Sequence, residues 1–299
     1  VLQVLTAMEL WERHRRARLS YSACDLCPRE CGVDRTQGAE GFCRQGALAK
    51  VAAVSIHHGE EPPISGRGGS GTVFYSGCNM GCLFCQNFPI SQLGAGRETT
   101  VGELGDRLLG LQRKGAHNVN FVTPTPHVPH LIGAVAHARD NGFGLPVVYN
   151  TNGYDSLRGL ALLDGVVDIY LPDVKYRSEA LAAEASGTGD YAVHNEAAVR
   201  EMVRQVGMLE TGPEGIATRG VLIRHLVLPG RIEETESVLA FIREAFGPDM
   251  PLSLMGQYFP AWKAHERAGY NRKLTEAEYE QAVGFAERLE MINVFIQEL

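Results

Sequence analysis

Ser76-Gly77-Cys78-Asn79-Met80-Gly81-Cys82-Leu83-Phe84-Cys85-Gln86-Asn87 follows an apolar, strand-like run from Gly71 to Tyr75. Its three cysteines stand in C-x3-C-x2-C spacing, with Phe84 directly before the third. Thiols this close along a chain can converge on one metal centre. A 4Fe–4S cubane takes four ligands, so three cysteines leave one iron without a protein thiolate. That open position can chelate another molecule, which argues for chemistry and not only for structure. The alternative is a structural zinc site drawn from any four of the seven cysteines. Zinc alone would not account for Phe84 or for the strand-then-loop setting.

The other four cysteines lie upstream, in Cys24-Asp25-Leu26-Cys27-Pro28-Arg29-Glu30-Cys31-Gly32 and then Cys43. Their C-x2-C-x3-C-x11-C spacing is a complete ligand set, and the intervening glycines permit the tight turns that gather thiolates. Structural zinc and an auxiliary 4Fe–4S cluster both fit. The absence of an open ligand position inclines the reading to zinc, with electron relay to the first cluster as the sharper alternative.

All seven cysteines fall between positions 24 and 85 of the 299-residue chain. Stabilising disulfides would also staple the larger remainder, so this clustering favours metal thiolates in a reducing cytoplasm. Apolar residues make up 44% and charged residues 21%, the balance of an ordinary globular protein. A net charge of −7 gives no global attraction to nucleic-acid phosphates. No apolar run approaches the ~20 residues that cross a bilayer. The opening Val1-Leu2-Gln3-Val4-Leu5 lacks the charged start and long apolar core of a secretory leader. Neither a nucleic-acid nor a membrane partner is expected.

Residues 8–21 read as a short amphipathic helix and 50–70 as a linking segment, ending in Pro62-Pro63 and a glycine-rich stretch. His57, His58, Glu60 and Glu61 either face the active site or satisfy loop backbone. From Gly71, strand patterns at 71–76, 118–123, 145–150, 166–171, 220–228 and 251–256 alternate with helical ones near 101–114, 127–141, 155–163, 195–209 and 233–246. Repeated βα units imply a parallel sheet with helices outside. The tail reads as a helix capped by Thr275 and Glu278, then a short strand. The glycine-rich Ser186-Gly187-Thr188-Gly189-Asp190-Tyr191 reads as a substrate-facing loop.

The cysteine loop and the strand-end phrases resemble the radical S-adenosylmethionine (SAM) superfamily, over roughly Cys24 to the C-terminus. Within it the chain resembles the branch of the pyruvate formate-lyase activating enzyme, in particular the activating-enzyme-like proteins. The resemblance implies an α/β fold, a partial (β/α)6 radical SAM barrel over residues 61–299, preceded by a small N-terminal four-cysteine metal module over 1–60. It implies that Cys78, Cys82 and Cys85 hold a 4Fe–4S cluster whose open iron takes the amino and carboxylate groups of SAM, with Phe84 near the adenine. Asn150-Thr151-Asn152-Gly153 is similar to the family's Asp-Thr-Asn-Gly, beside which relatives hold a monovalent cation; Thr151 carries over, and Asn150 replaces the aspartate. Asp173-Val174-Lys175 matches the activating enzymes' Asp-x-Lys, and its two charges suit a zwitterion. Arg224, in the run Val221-Leu222-Ile223-Arg224-His225, needs a partner if buried, and a SAM or substrate carboxylate is one. Thr123-Pro124-Thr125-Pro126 stands where relatives carry Gly-Gly-Glu, leaving Thr123 or Thr125 to meet the SAM amino group; Thr125 also reads as a helix N-cap. Gln257 or Tyr258 stands where relatives carry a histidine. His127 and His130 fall at a helix start, as functional groups or as ordinary first-turn residues.

The activity so implied is reductive cleavage of SAM to a 5′-deoxyadenosyl radical that abstracts a hydrogen atom. An electron donor such as flavodoxin or ferredoxin goes with it. The target is a protein partner, as for glycyl-radical activases, or alternatively a small molecule or peptide. A non-catalytic, metal-stabilised interaction protein is the alternative from another class.

Overall fold

The computed structural model describes residues 5–297, so the first four residues of the opening segment lie outside the described part. The N-terminal third runs through α1 (Ala7–Arg18), β1 (Ala49–His57), α2 (Pro62–Ser65), β2 (Ser70–Tyr75), α3 (Phe88–Ser91) and β3 (Arg97–Thr99). Then follow α4 (Val101–Arg113), β4 (Val119–Val122), α5 (Val128–Asp140), β5 (Val147–Thr151), α6 (Leu157–Ala161) and β6 (Ile169–Pro172). The remainder comprises α7 (Glu179–Ser186), α8 (Tyr191–Val206), β7 (Glu210–Thr211), β8 (Ala217–Val221), β9 (Ile223–Leu226), α9 (Ile232–Phe246), β10 (Leu252–Met255), α10 (Glu276–Arg288) and β11 (Val294–Ile296).

Strands β2, β4, β5, β6 and β8 pair in parallel. The fifth of these strands then breaks. Its first half, β8, pairs with β6, while β9 turns to pair with β10, and β10 with β11. A single parallel bridge between Asp173 and Arg224 carries the curvature across the break. This is the α/β partial barrel expected from the alternating pattern. Side chains alternate across each strand. Val147 and Tyr149 turn out toward the helix leucines Leu104, Leu108 and Leu131. Val148, Ile169, Leu171 and Leu222 turn inward around Ile64, which fills the barrel from the short α2.

Two sequence expectations are corrected here. The supposed linker contains β1, which pairs antiparallel with both β2 and β3 and extends the sheet at its edge. Ala49 and Val51 are buried and alternate with half-exposed residues, and from Ala53 exposed residues alternate with half-exposed ones, the pattern of a strand covered on one face. A boundary at residue 60 therefore cuts between two paired strands, and Leu10, Ala17, Leu26 and Ala49 share one core with the barrel. Thr125 is not an N-cap: α5 starts after a short 3-10 turn, and the Thr125 hydroxyl donates to Asp155 Oδ1 at 2.8 Å. The capping box of Thr275 and Glu278 is present as expected.

Candidate active site

The cysteine loop leaves the C-terminal end of β2 and is stitched to the far end of α7. Gly81 N–H donates to Ser186 O at 3.0 Å and Leu83 N–H to Ala185 O at 2.9 Å. Ala185 and Ser186 thus brace this loop, so Ser186 is not simply part of a free substrate-facing segment. Each of the three thiols has one polar side chain beside it, from three separate places. Asn152 Nδ2 donates to Cys78 Sγ at 3.3 Å, Ser186 Oγ to Cys82 Sγ at 3.0 Å, and Ser91 Oγ lies 3.1 Å from Cys85 Sγ. Burial pushes the Cys78 and Cys82 thiols above their ordinary range, so a metal centre must displace their protons. Lys175 partly offsets this at Cys82.

Beside the loop, the strand ends carry a buried set of charges. Arg224 donates through Nη2 to Asn150 Oδ1 at 2.7 Å and through Nε to Asp173 Oδ1 at 2.9 Å. Lys175 Nζ donates to Asp173 Oδ2 at 2.5 Å. Burial alone would raise the Asp173 carboxyl, but Arg224 and Lys175 outweigh it and hold it below its usual range. Glu60 and Glu61 reach the same group from below. Glu60 Oε2 accepts from Asn150 Nδ2 at 3.4 Å and pairs with His57, while Glu61 Oε1 lies 3.9 Å from Arg224. Burial pushes the Glu61 carboxyl up, and its Oε2 is buried without a partner.

The remaining sequence candidates divide. Thr123 directly follows β4 at φ +56°, in the left-handed region that a β-branched residue rarely adopts. Thr151 faces outward, donating to Asp155 Oδ2 at 2.5 Å and accepting from Gly153 N–H, so it shapes its loop. Phe84 packs against Tyr258 and Tyr270, with centroids 5.8 and 6.5 Å away. The Tyr258 hydroxyl donates to Tyr270 O at 2.7 Å, while Gln257 O accepts from Gln86. His127 and His130 are buried framework groups, at 2.8 Å from Ser76 O and Thr99 O respectively.

The four upstream cysteines gather apart from this loop. Cys24, Cys27, Cys31 and Cys43 line one small cavity with Arg29, Arg35, Phe42, Asn79 and Pro126. Burial pushes the Cys27 thiol up to about 12. All seven cysteines are free thiols. Among the described residues no three His, Cys, Asp or Glu side chains close on a point that one ion would fill.

A family model, the radical SAM superfamily, matches residues 72–242, from β2 into α9. The chain belongs to the radical SAM superfamily. Membership implies a 4Fe–4S cluster and SAM, and makes the protein an enzyme of radical chemistry. The residues fit that cofactor: the three thiols lie within electrostatic reach of one another, and a cubane seats each on its own iron, so they need not meet at one point. Two proteins of Methanocaldococcus jannaschii are similar along most of this radical SAM chain. Uncharacterized protein MJ0674 is 31% identical over 93% of the chain and 78% of its own length. Uncharacterized protein MJ0808 is 24% identical over 80% and 71%. Among solved structures, Streptococcus suis SuiB bound to S-adenosylmethionine aligns with a TM-score of 0.48 at 12% identity, over 74% of this chain. SuiB bound to precursor peptide SuiA aligns with a TM-score of 0.49 at 12% identity, also over 74%. The chain spans under half the length of those two chains. Among the described residues no helix is long and apolar enough to cross a membrane.

Sequence reading missed Ser186 and Asn152 as neighbours of the Cys82 and Cys78 thiols. Asn152 carried a signal, since it stands in the Asn-Thr-Asn-Gly phrase. Ser186 carried none, being 104 residues from Cys82 in the chain.

Proposed function

We propose that Cys78, Cys82 and Cys85 are the protein ligands of the 4Fe–4S cluster, and that SAM lies between their loop and the Asp173–Lys175–Arg224 group. One observation carries this reading. Asn152, which donates to Cys78 Sγ, stands two residues after Asn150, which accepts from Arg224, so one short loop joins the thiols to the strand-end charges. Held by Cys78, Cys82 and Cys85, the cluster would supply the one electron for reductive cleavage of SAM and so the radical chemistry that abstracts a hydrogen atom from the substrate.

The chain's own part is to bind, orient and exclude water. Lys175 and Arg224 offer cations to the SAM carboxylate, and Asp173 holds both in place as an ionised acceptor. Thr123, held at the end of β4, meets the amino group in place of the missing Gly-Gly-Glu. Phe84 and Tyr258 form an apolar wall for the adenine, while Thr151 acts through the shape of its loop. A monovalent cation fits poorly beside Asn150 and Asp173, because Arg224 already takes an oxygen from each. We assign that positive charge to the guanidinium.

The Asp173-Val174-Lys175 phrase supports a protein partner as the target, as for activating enzymes, with reduced flavodoxin or ferredoxin as donor in a reducing cytoplasm. Asn150 and Thr123, which depart from the activating-enzyme pattern, favour a small molecule or peptide as the second reading. The four upstream cysteines form a separate metal site in either case. The reconstituted enzyme, given SAM and reductant without oxygen, should release 5′-deoxyadenosine, and Cys82→Ala should abolish it. Release that survives Cys82→Ala would overturn the cluster assignment. A lasting EPR radical on an added protein separates the two target classes.

A further inference from the structure

We propose that Cys24, Cys27, Cys31 and Cys43 hold a second 4Fe–4S cluster, set against the loop of the first. The four thiols come from two stretches of chain yet line one cavity. Their segment is shaped by short backbone bonds, from Cys24 N–H to Val33 O, Gly32 N–H to Cys24 O and Glu30 N–H to Cys27 O. Phe42 N–H points at Cys31 Sγ at 3.5 Å, as a backbone donor does toward a metal-bound sulfur.

A second observation calls for negative charge at this place. Arg35 lines the same cavity and is only 1% exposed. Its partners are neutral: Gly46 O at 2.6 and 3.0 Å, Pro126 O at 2.7 Å, the Tyr21 ring at 4.2 Å and Cys24 Sγ at 3.9 Å. No Asp or Glu among the described residues forms an ion pair with it. A buried guanidinium without a counter-charge is costly. Neutral thiols do not supply one, whereas four thiolates around a doubly positive centre carry a net charge of about −2. Arg29, on the same cavity and over the Phe42 ring at 3.9 Å, adds a second cation bonded only to carbonyls, Asn79 O and Gly187 O.

The same charge count would hold for zinc, and the placement decides between them. Zinc has no redox chemistry and would serve the fold equally well away from the first loop, whereas a cubane set against that loop can relay electrons to it. The site abuts the first loop directly. A Cβ on Gly77, the residue before Cys78, would stand 2.5 Å from Cys43 O, and Asn79 lines the cavity itself.

The test is a pair of full-length variants reconstituted anaerobically with iron, sulfide and equimolar zinc. In one, Cys78, Cys82 and Cys85 are replaced by Ala; in the other, Cys24, Cys27, Cys31 and Cys43 are replaced by Ser. The wild type should hold about eight irons and each variant about four. The Ala variant should keep a dithionite-reducible EPR signal that SAM does not perturb. About four irons with one zinc in the wild type, or an Ala variant holding zinc without iron, would overturn the proposal. Native mass spectrometry of the wild type separates the same outcomes by mass if the Ser variant does not fold. Wild type and Ala variant each holding about four irons would instead sink the reading of Cys78, Cys82 and Cys85 while sustaining this one.

Discussion

Ser186 Oγ donates to Cys82 Sγ at 3.0 Å across 104 residues of chain. The contact ties the end of α7 to the centre of the cysteine loop. A hydrogen bond to a cluster sulfur favours the more negative, reduced state. Ser186→Ala should therefore lower the cluster's reduction potential by about 40 mV, a ~1 kcal/mol hydrogen bond read on a one-electron couple. An EPR-monitored redox titration reads this directly, and an unchanged potential at full iron content would count against it.

Arg224 bridges Asn150 and Asp173, and on the proposed reading its guanidinium takes the place of a monovalent cation. SAM cleavage by the wild type should be indifferent to replacing potassium with tetramethylammonium. Arg224→Gln leaves Asp173 with one cation fewer, and should slow 5′-deoxyadenosine release at least about tenfold, a loss of ~1.4 kcal/mol. Partial rescue of that variant by potassium is expected. A wild type that needs potassium would refute the assignment.

His225 is buried with Nδ1 2.7 Å from Val174 O and Nε2 3.0 Å from Thr235 Oγ1, partners that a neutral imidazole satisfies. Burial holds its pKa down at about 4, and does the same for His130. In the unfolded chain both return to about 6.5. As the pH falls below ~6.5 the unfolded state binds protons first, so stability declines from there until the folded state titrates near 4. Denaturation midpoints measured across that window should drop, and His225→Gln should make the slope shallower. An identical slope in the variant would remove His225 as a source.

Ile64 is fully buried among Val148, Ile169, Leu171 and Leu222, filling the barrel interior. Ile64→Ala leaves a cavity there and should cost roughly 2–5 kcal/mol. Chemical denaturation under anaerobic conditions measures it, with iron content unchanged because no thiol contact is touched.

Several of these groups were legible from the chain alone. The three-cysteine spacing, the alternating strand and helix patterns and the Asp173–Lys175 pair all follow from local order, since neighbours two to seven residues apart share a loop or a strand face. Thr125 misled for the same reason. A helix-start reading sees only the next few residues, whereas Asp155 comes from the loop beyond β5. The β1 strand was hidden because its proline- and glycine-rich connection to β2 looked like the punctuation of a linker.

What the sequence by itself determined is the incomplete thiol set, the complete one beside it and a parallel barrel to carry them. Local spacing and periodicity are enough for those, because each is built within one short segment. The tertiary structure alone decided what surrounds each group. It brought Asn152 and Ser186 to the sulfurs of Cys78 and Cys82, placed Arg224 between Asn150 and Asp173, and left Arg35 buried beside four thiols with no carboxylate among the described residues paired to it. The first two of those relations join residues 51 to 104 positions apart. Only the closure of the barrel sets their distances.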